Sequence, residues 1–134
     1  MTLCQIYKKL PTEADCIDLL ETVIWGNIPK CPYCGSTNSV ALTSGNRYHC
    51  NKCNTSYSVT VKTIFHKTKI PLQKWFYVIH LKEKNDLSIS VRNLGEQIET
   101  TKDTANRIVN KVNNFYLLNL GLFKSINSKI TKNE

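Results

Sequence analysis

Two hydrophobic periods alternate along this chain and divide it. After Thr12 the apolar positions Ala14, Ile17, Leu20, Val23 and Ile24 recur at the spacing of one helix face, which predicts a short amphipathic helix over 13–24. Thr12 followed by Asp15 has the form of a capping box, with a carboxylate near the positive end of that helix. Gly26, Asn27 and Pro29 stop it. From Ser39 the period shortens to that of strands. "SVAL", "RYHC" and "SYSVTV" are brief β-branched or aromatic runs, the first two joined by the turn-forming "TSGN". Helical spacing returns behind Pro71, a residue suited to a first helical turn, with Leu72, Trp75, Phe76 and Ile79 at i, i+3, i+4 and i+7. Ser88 is placed to cap a helix carrying Val91, Leu94 and Ile98. Thr100 or Thr101 is placed to cap another carrying Ala105, Ile108, Val109, Val112 and Phe115. The closing "KSINSKITKNE" is polar and predicts a frayed tail.

The strand segment holds the candidate chemistry. Cys31/Cys34 and Cys50/Cys53 are two C-x2-C pairs with fifteen residues between them. Each tight turn aims two thiolates at one ion, and four soft tetrahedral ligands are what a structural zinc site requires. The residue after each pair is Gly35 or Asn54, the types that best tolerate a left-handed backbone. A rubredoxin-like iron site also uses four thiolates, but an electron carrier accounts neither for the helices nor for the charge described below. A metal-free ribbon of this length has little apolar core, whereas zinc contributes roughly 10–16 kcal/mol to small metal-folded peptides. One structural Zn2+ is therefore expected on Cys31, Cys34, Cys50 and Cys53, with no open position for a catalytic water. His49 reads as a strand residue, and His66 and His80 as surface or helix residues, none of them ligands. Cys4 and Cys16 lack a partner at ligand spacing and read as small buried apolar residues.

Charge narrows the choice of partner. The 134 residues fit one domain or two very small ones, 41% of them are hydrophobic, and the net charge is +8. That charge is uneven: −2 over residues 1–29, +8 over 30–82 and +2 over 83–134. Residues 30–82 contain no carboxylate at all, a composition suited to a polyanion. No window approaches the ~18 uninterrupted apolar residues of a membrane span. The N-terminal "MTLCQIYKKLPTEADC" lacks the pattern of a signal peptide, so a cytoplasmic location is expected, with no membrane partner and with cysteines serving as ligands or core rather than disulfides.

The helices predicted near 88–98 and 101–116 have the proportions of a helix-turn-helix, with Gly95 placed where a small residue lets them pack closely. In the second, Ala105, Ile108, Val109 and Val112 face inward and leave Asp103, Asn106, Arg107, Asn110 and Lys111 outward. Asn and Arg side chains can contact adenine and guanine edges in a major groove, and lysines suit phosphates. The candidate DNA-binding residues are Arg47, Lys52, Lys62 and Lys67 from the ribbon side, and Lys102, Asn106, Arg107, Asn110 and Lys111 from the helix. The competing reading is an ordinary helical pair with a solvated face. The expected fold is thus a small zinc-binding α+β protein: an N-terminal helical segment (1–29), a three-stranded zinc ribbon (30–66), a three-helix, helix-turn-helix-like segment (67–120) and a polar tail (121–134).

Taken in order, "TEADCIDLLETVIWG", "CPYCGS", "RYHCNKCN", "SYSVTVKTIF", "PLQKWFYVIHL" and "SISVRNLGEQI", followed by "TA" at 104–105, resemble the N-terminal region of zinc-ribbon insertion-sequence transposases. The resemblance implies zinc on the four cysteines and a helix from 101 that reads double-stranded DNA, the terminal inverted repeats of a mobile element being the expected target. Lys62 and Glu99 depart from it, each standing where the family usually has glycine. Family members continue into an RNase H-like domain whose acidic triad binds two Mg2+ for strand transfer. This chain stops near where the first of those carboxylates is expected, so it is expected neither to cut nor to join DNA, with a catalytic transposase subunit acting in trans as a second candidate partner. The alternative is a freestanding zinc-ribbon transcriptional regulator; a protein-interaction module of a transcription or ribosomal machine fits the ribbon but not the helices. Oligomeric state is not legible in the sequence.

Overall fold

Thr2 opens the first helix through a reciprocal cap. Its backbone N–H donates to Oε1 of Gln5 at 2.8 Å, and its Oγ1 accepts from the Gln5 N–H at 3.3 Å. The computed structural model describes residues 2–26, 28–43, 45–84 and 91–131, with the backbone alone at Val91. Ser88, the expected cap of the fourth helix, lies outside the described residues. In chain order the elements are α1 (Leu3–Lys9), α2 (Glu13–Trp25), β1 (Ser39–Ala41), β2 (Tyr48–Cys50), β3 (Ser56–Tyr57), α3 (Leu72–Glu83), α4 (Val91–Gln97), α5 (Lys102–Phe115) and α6 (Leu120–Thr131). This is the expected α+β class. The chain divides into two compact units, residues 14–68 and residues 1–13 with 69–134, so α2 groups with the ribbon rather than with a separate N-terminal segment.

In the first of these units the three strands form one antiparallel sheet in the order β1-β2-β3. Val40 pairs with His49 and Tyr48 with Tyr57, which sets the register. Strands this short bury little, and aromatic packing supplies what core there is. Trp25 at the end of α2 meets Tyr48 and Tyr57 edge-on, with ring centroids 5.5 and 5.7 Å away, and the two tyrosines stack at 5.8 Å. Such pairs contribute about 0.5–1.5 kcal/mol each beyond their buried area. The Tyr57 hydroxyl donates to Ser39 Oγ across the sheet at 2.7 Å, and the Tyr48 hydroxyl donates to the Glu21 carboxylate at 2.9 Å. The buried face of α2 is set by Cys16 and Leu20, while Ala14 and Ile24 are exposed, so the covered stripe is rotated from the one expected. Beyond Tyr57 the expected strand "SYSVTV" gives way to successive turns, closed by Val61 N–H to Ser58 O and Thr63 N–H to Thr60 O.

The helical unit is built around α3, which is buried on nearly every side. It packs against α1, α5 and α6, while α4 packs against α5. Gln73 donates to the Leu10 carbonyl at 2.8 Å, and the Tyr77 hydroxyl donates to Oε1 of Gln97 at 2.8 Å. The segment expected as a polar, frayed tail is instead largely α6. Phe123, Ile126 and Ile130 are buried on one side of it, which fastens its polar residues in a helix. The Lys9 ammonium donates to the Ile130 carbonyl at 2.6 Å, and Nδ1 of His80 lies 2.6 Å from Oδ1 of Asn127. Cys4, expected to be buried, is exposed on α1, whereas Cys16 is fully buried as expected. Phe115, expected on the inner face of α5, is partly out in solvent.

Candidate metal centre and nucleic-acid interface

The two C-x2-C turns share one backbone plan. The Cys31 N–H donates to Ser36 O and the Gly35 N–H to Cys31 O, both at 2.9 Å. In the second turn the Cys50 N–H donates to Thr55 O at 3.0 Å and the Asn54 N–H to Cys50 O at 2.9 Å. Each turn closes on a left-handed residue, Gly35 at φ +78° and Asn54 at φ +58°, as the sequence predicts. Amides in these turns point at sulfur. Burial works against ionisation of Cys31, but the amides of Cys34 and Tyr33 and the neighbouring thiols outweigh it and lower its pKa. The Cys53 amide, aided by that of Lys52 and opposed by burial, holds Cys50 down at about 6. The Ser36 amide favours the Cys34 thiolate, yet burial and the thiols of Cys50, Cys31 and Cys53 outweigh it and push it up to about 11.

The four Sγ atoms all lie within 4.8 Å of one another, with Cys31 to Cys53 at 3.6 Å and Cys34 to Cys50 at 3.5 Å. A tetrahedral ion with Zn–S bonds of about 2.3 Å has sulfur–sulfur edges of about 3.8 Å. The cysteines fit that ion closely and carry the thiolate chemistry it selects. Cys31 and Cys50 are buried with Tyr57 beneath them, flanked by Trp25, Tyr48 and Val61, while Cys34 and Cys53 lie toward solvent. The four residues hold one structural zinc. Of the histidines, His49 sits in β2, His66 is exposed in a turn, and His80 is buried in α3.

Residues 11–56 match the family model of the transposase zinc-ribbon domain. Over 107 residues the chain is 26% identical to an uncharacterized protein in the transposable element ISH50 of Halobacterium salinarum, a match covering 78% of this chain. The chain spans only 36% of that relative's length. No solved structure matches the chain. Among the described residues, no helix is long and apolar enough to cross a membrane.

Every residue expected to touch DNA is exposed. Arg47, Lys52, Lys62 and Lys67 lie in the ribbon unit; Lys52 sits inside the second cysteine turn, and the Lys62 ammonium lies 5.5 Å from the centre of the Tyr33 ring. Lys62 and Lys67 are held at φ +65° and +57°. Lys62 therefore occupies the left-handed position for which glycine was expected.

In the helical unit, α5 starts at Thr101, whose Oγ1 accepts from the Thr104 N–H at 3.1 Å. Ala105, Ile108 and Val112 are fully buried, and Lys102, Asp103, Asn106, Arg107, Asn110 and Lys111 all face solvent. The chain enters this helix through a Schellman turn at the end of α4, with Thr100 N–H to Gly95 O at 2.8 Å and Glu99 N–H to Glu96 O at 3.3 Å. Glu99 takes the left-handed place at φ +56°. Gly95 is required for a different reason: a Cβ there would stand 3.0 Å from the Thr100 carbonyl oxygen and 3.4 Å from that of Thr101. The sequence reading did not single out Lys30, an exposed cation preceding Cys31, or Asn113 and Asn114 on the outer side of α5. The last two were legible, since Asn110 and Asn114 are four residues apart on a helix.

Proposed function

We propose that this chain binds double-stranded DNA in a sequence-directed way and recognises the ends of a mobile element. In this reading α4 and α5 act as a helix-turn-helix and the zinc ribbon adds a second, charge-driven contact. The observation that carries it is the division of α5 between a fully buried face, Ala105, Ile108 and Val112, and an outer face of Asn106, Arg107 and Asn110. Arg47, Lys52, Lys62, Lys67, Lys102 and Lys111 bind phosphates, which supply affinity without sequence information. The resemblance of the ribbon to a transposase domain, and of most of the chain to a transposable-element protein, supports mobile DNA as the target. In this reading the zinc is structural, because four cysteines fill its sphere and leave no place for an activated water, and the role of the residues described here is recognition. A catalytic transposase subunit then acts in trans, and the protein works at the cytoplasmic nucleoid.

The test is binding of the zinc-loaded chain to duplexes bearing the inverted repeats that border its gene, over a range of salt. Affinity falls steeply with salt as Lys and Arg contacts release counterions. Arg107→Ala relaxes sequence preference, whereas Lys52→Ala weakens all duplexes alike. Equal effects of the two substitutions would overturn the division, and preference for the gene's own promoter over the repeats would make the protein a regulator.

A further inference from the structure

The outer face of α5 is dominated by amides. At about 100° per residue, Asn110 and Asp103 lie at its centre, with Asn106 on one side and Asn114 and Arg107 on the other. Lys102 and Lys111 fall at the two margins, next to the buried stripe of Ala105, Ile108 and Val112. Asn113 adds a fourth exposed amide, beside Asn106. Asparagine is a poor residue for a helix interior because its side chain competes for backbone hydrogen bonds. Among the described residues none of these four amides has a side-chain hydrogen-bond partner. Nothing in the fold of α5 accounts for four of them in fourteen residues.

From this face we infer that the preferred DNA is rich in A·T pairs and that Asn106, Asn110 and Asn114 read adenines in its major groove. The inference rests on the proposed DNA-binding role and names the sequence class it selects. A carboxamide presents one donor and one acceptor side by side, matching N7 and N6–H2 of adenine. Arginine presents two donors, matching N7 and O6 of guanine. Three amides with a single arginine therefore specify a site in which adenines outnumber guanines, with one guanine opposite Arg107. Asp103 can only accept, which suits a cytosine amino group and disfavours a phosphate beside it. The marginal lysines, Lys102 and Lys111, reach for the two walls of the groove, and their placement on both sides centres the amides over the base edges.

The experiment begins with selection of bound duplexes from a randomised pool by the full zinc-loaded chain. The expected consensus has at least two adenines and one guanine within a single half-turn to full turn. Asn110→Ala should then flatten one adenine position by roughly 5- to 150-fold, and Asn110→Gln should restore it. Alanine raises helix propensity, so loss of folding is not expected to intrude, and the helical circular dichroism of each variant checks this. A second arm replaces the selected adenines by 7-deazaadenine, which keeps base pairing and the minor groove but removes N7. A loss of affinity of about 5-fold or more per substituted contact supports major-groove reading by the amides. Undiminished binding to the 7-deaza duplex would overturn the inference and assign any A·T preference to groove shape. Salt-sensitive binding with no adenine preference would overturn the inference while leaving DNA binding intact. Absence of binding to every duplex at low salt would overturn both.

Discussion

The turn between α4 and α5 contains two residues whose exchange with or for glycine should move stability in opposite directions. Glu99 sits at φ +56° with its side chain in solvent, and Lys74 contacts only its backbone carbonyl, at 3.2 Å. A left-handed backbone costs an L-residue about 1–2 kcal/mol. Replacing it by glycine also loosens the unfolded chain, which takes back about 0.4–1 kcal/mol. Removing an acid from the negative end of α4 adds a few tenths, about 0.3 kcal/mol at an exposed site. Glu99→Gly should therefore stabilise the helical unit by about 0.5–1.5 kcal/mol, and Glu99→Gln, which removes the charge alone, by about 0.3 kcal/mol. Gly95→Ala should do the reverse. Its gain in helix propensity, about 1 kcal/mol, is set against a Cβ driven to 3.0 Å from a backbone carbonyl that cannot step aside without opening the Schellman turn. Overpacking of this kind costs about 1–3 kcal/mol. Urea unfolding of the zinc-loaded protein measures both. Fluorescence in a Trp25→Phe background reports the helical unit through Trp75, which is buried in its core. A lowered midpoint for Glu99→Gly, or a raised one for Gly95→Ala at unchanged m-value, would refute this account of the turn.

Zinc removal, or Cys50→Ser, should melt the ribbon unit and spare the helical one; hydrogen exchange should show protection lost across Tyr48–Cys50 and kept across Leu72–Glu83. Lys62→Gly relieves a φ of +65° but also removes an ammonium from the Tyr33 ring, so its stability should stay within about 0.5 kcal/mol of the parent, unlike Glu99→Gly. Burial, with the Glu21 carboxylate next, pushes the Tyr48 phenol up to about 12 from its ordinary 10.0. The unfolded chain loses that proton first, so this contribution to stability is complete below pH 10 and disappears as pH rises toward 12. Glu21→Gln should bring the phenolate absorbance of Tyr48 to lower pH.

What could be read from the sequence is what depends on near neighbours. The C-x2-C turns announce themselves because ligand pair, turn and left-handed residue fall within five positions, and the geometry around Gly35 and Asn54 follows. The α4–α5 turn is legible for the same reason. Both places where glycine was expected, Lys62 and Glu99, are left-handed in the fold. Elements that depend on distant partners were harder. The helix α1 spans less than two turns, too short for a periodic signal, and its one local mark is the Thr2–Gln5 capping box. In α6 the apolar Phe123, Ile126 and Ile130 are spaced helically but diluted by Lys, Ser and Asn. Only the presence of α3 makes that stripe a core. In α2 a periodic face was correct in kind and wrong in rotation. The ribbon's small core is Cys31, Cys50 and Tyr57 with Trp25 against it, while on α2 itself Cys16 and Leu20 are covered and Ile24 is left outside.

Under the proposed function the two units would divide the tasks of DNA binding by chemistry, and zinc would make that division measurable. Arg47, Lys52, Lys62 and Lys67 belong to the unit that carries the four grouped cysteines, and Asn106, Arg107 and Asn110 to the other. Each phosphate contact contributes about 0.9 to the slope of log affinity against log salt. If all four ribbon cations bind phosphates, melting their unit with a chelator should lower that slope by about 3–4 and weaken every duplex together. The ratio of affinities for a preferred and a scrambled site should persist, because α3 and α5 hold the reading face without the metal. Binding isotherms at several salt concentrations, with zinc and with chelator, give both quantities at once. A slope unchanged by chelation would remove the ribbon from the phosphate backbone. A lost ratio would mean that α5 reads bases only when the ribbon is folded, and the specificity would then belong to the pair.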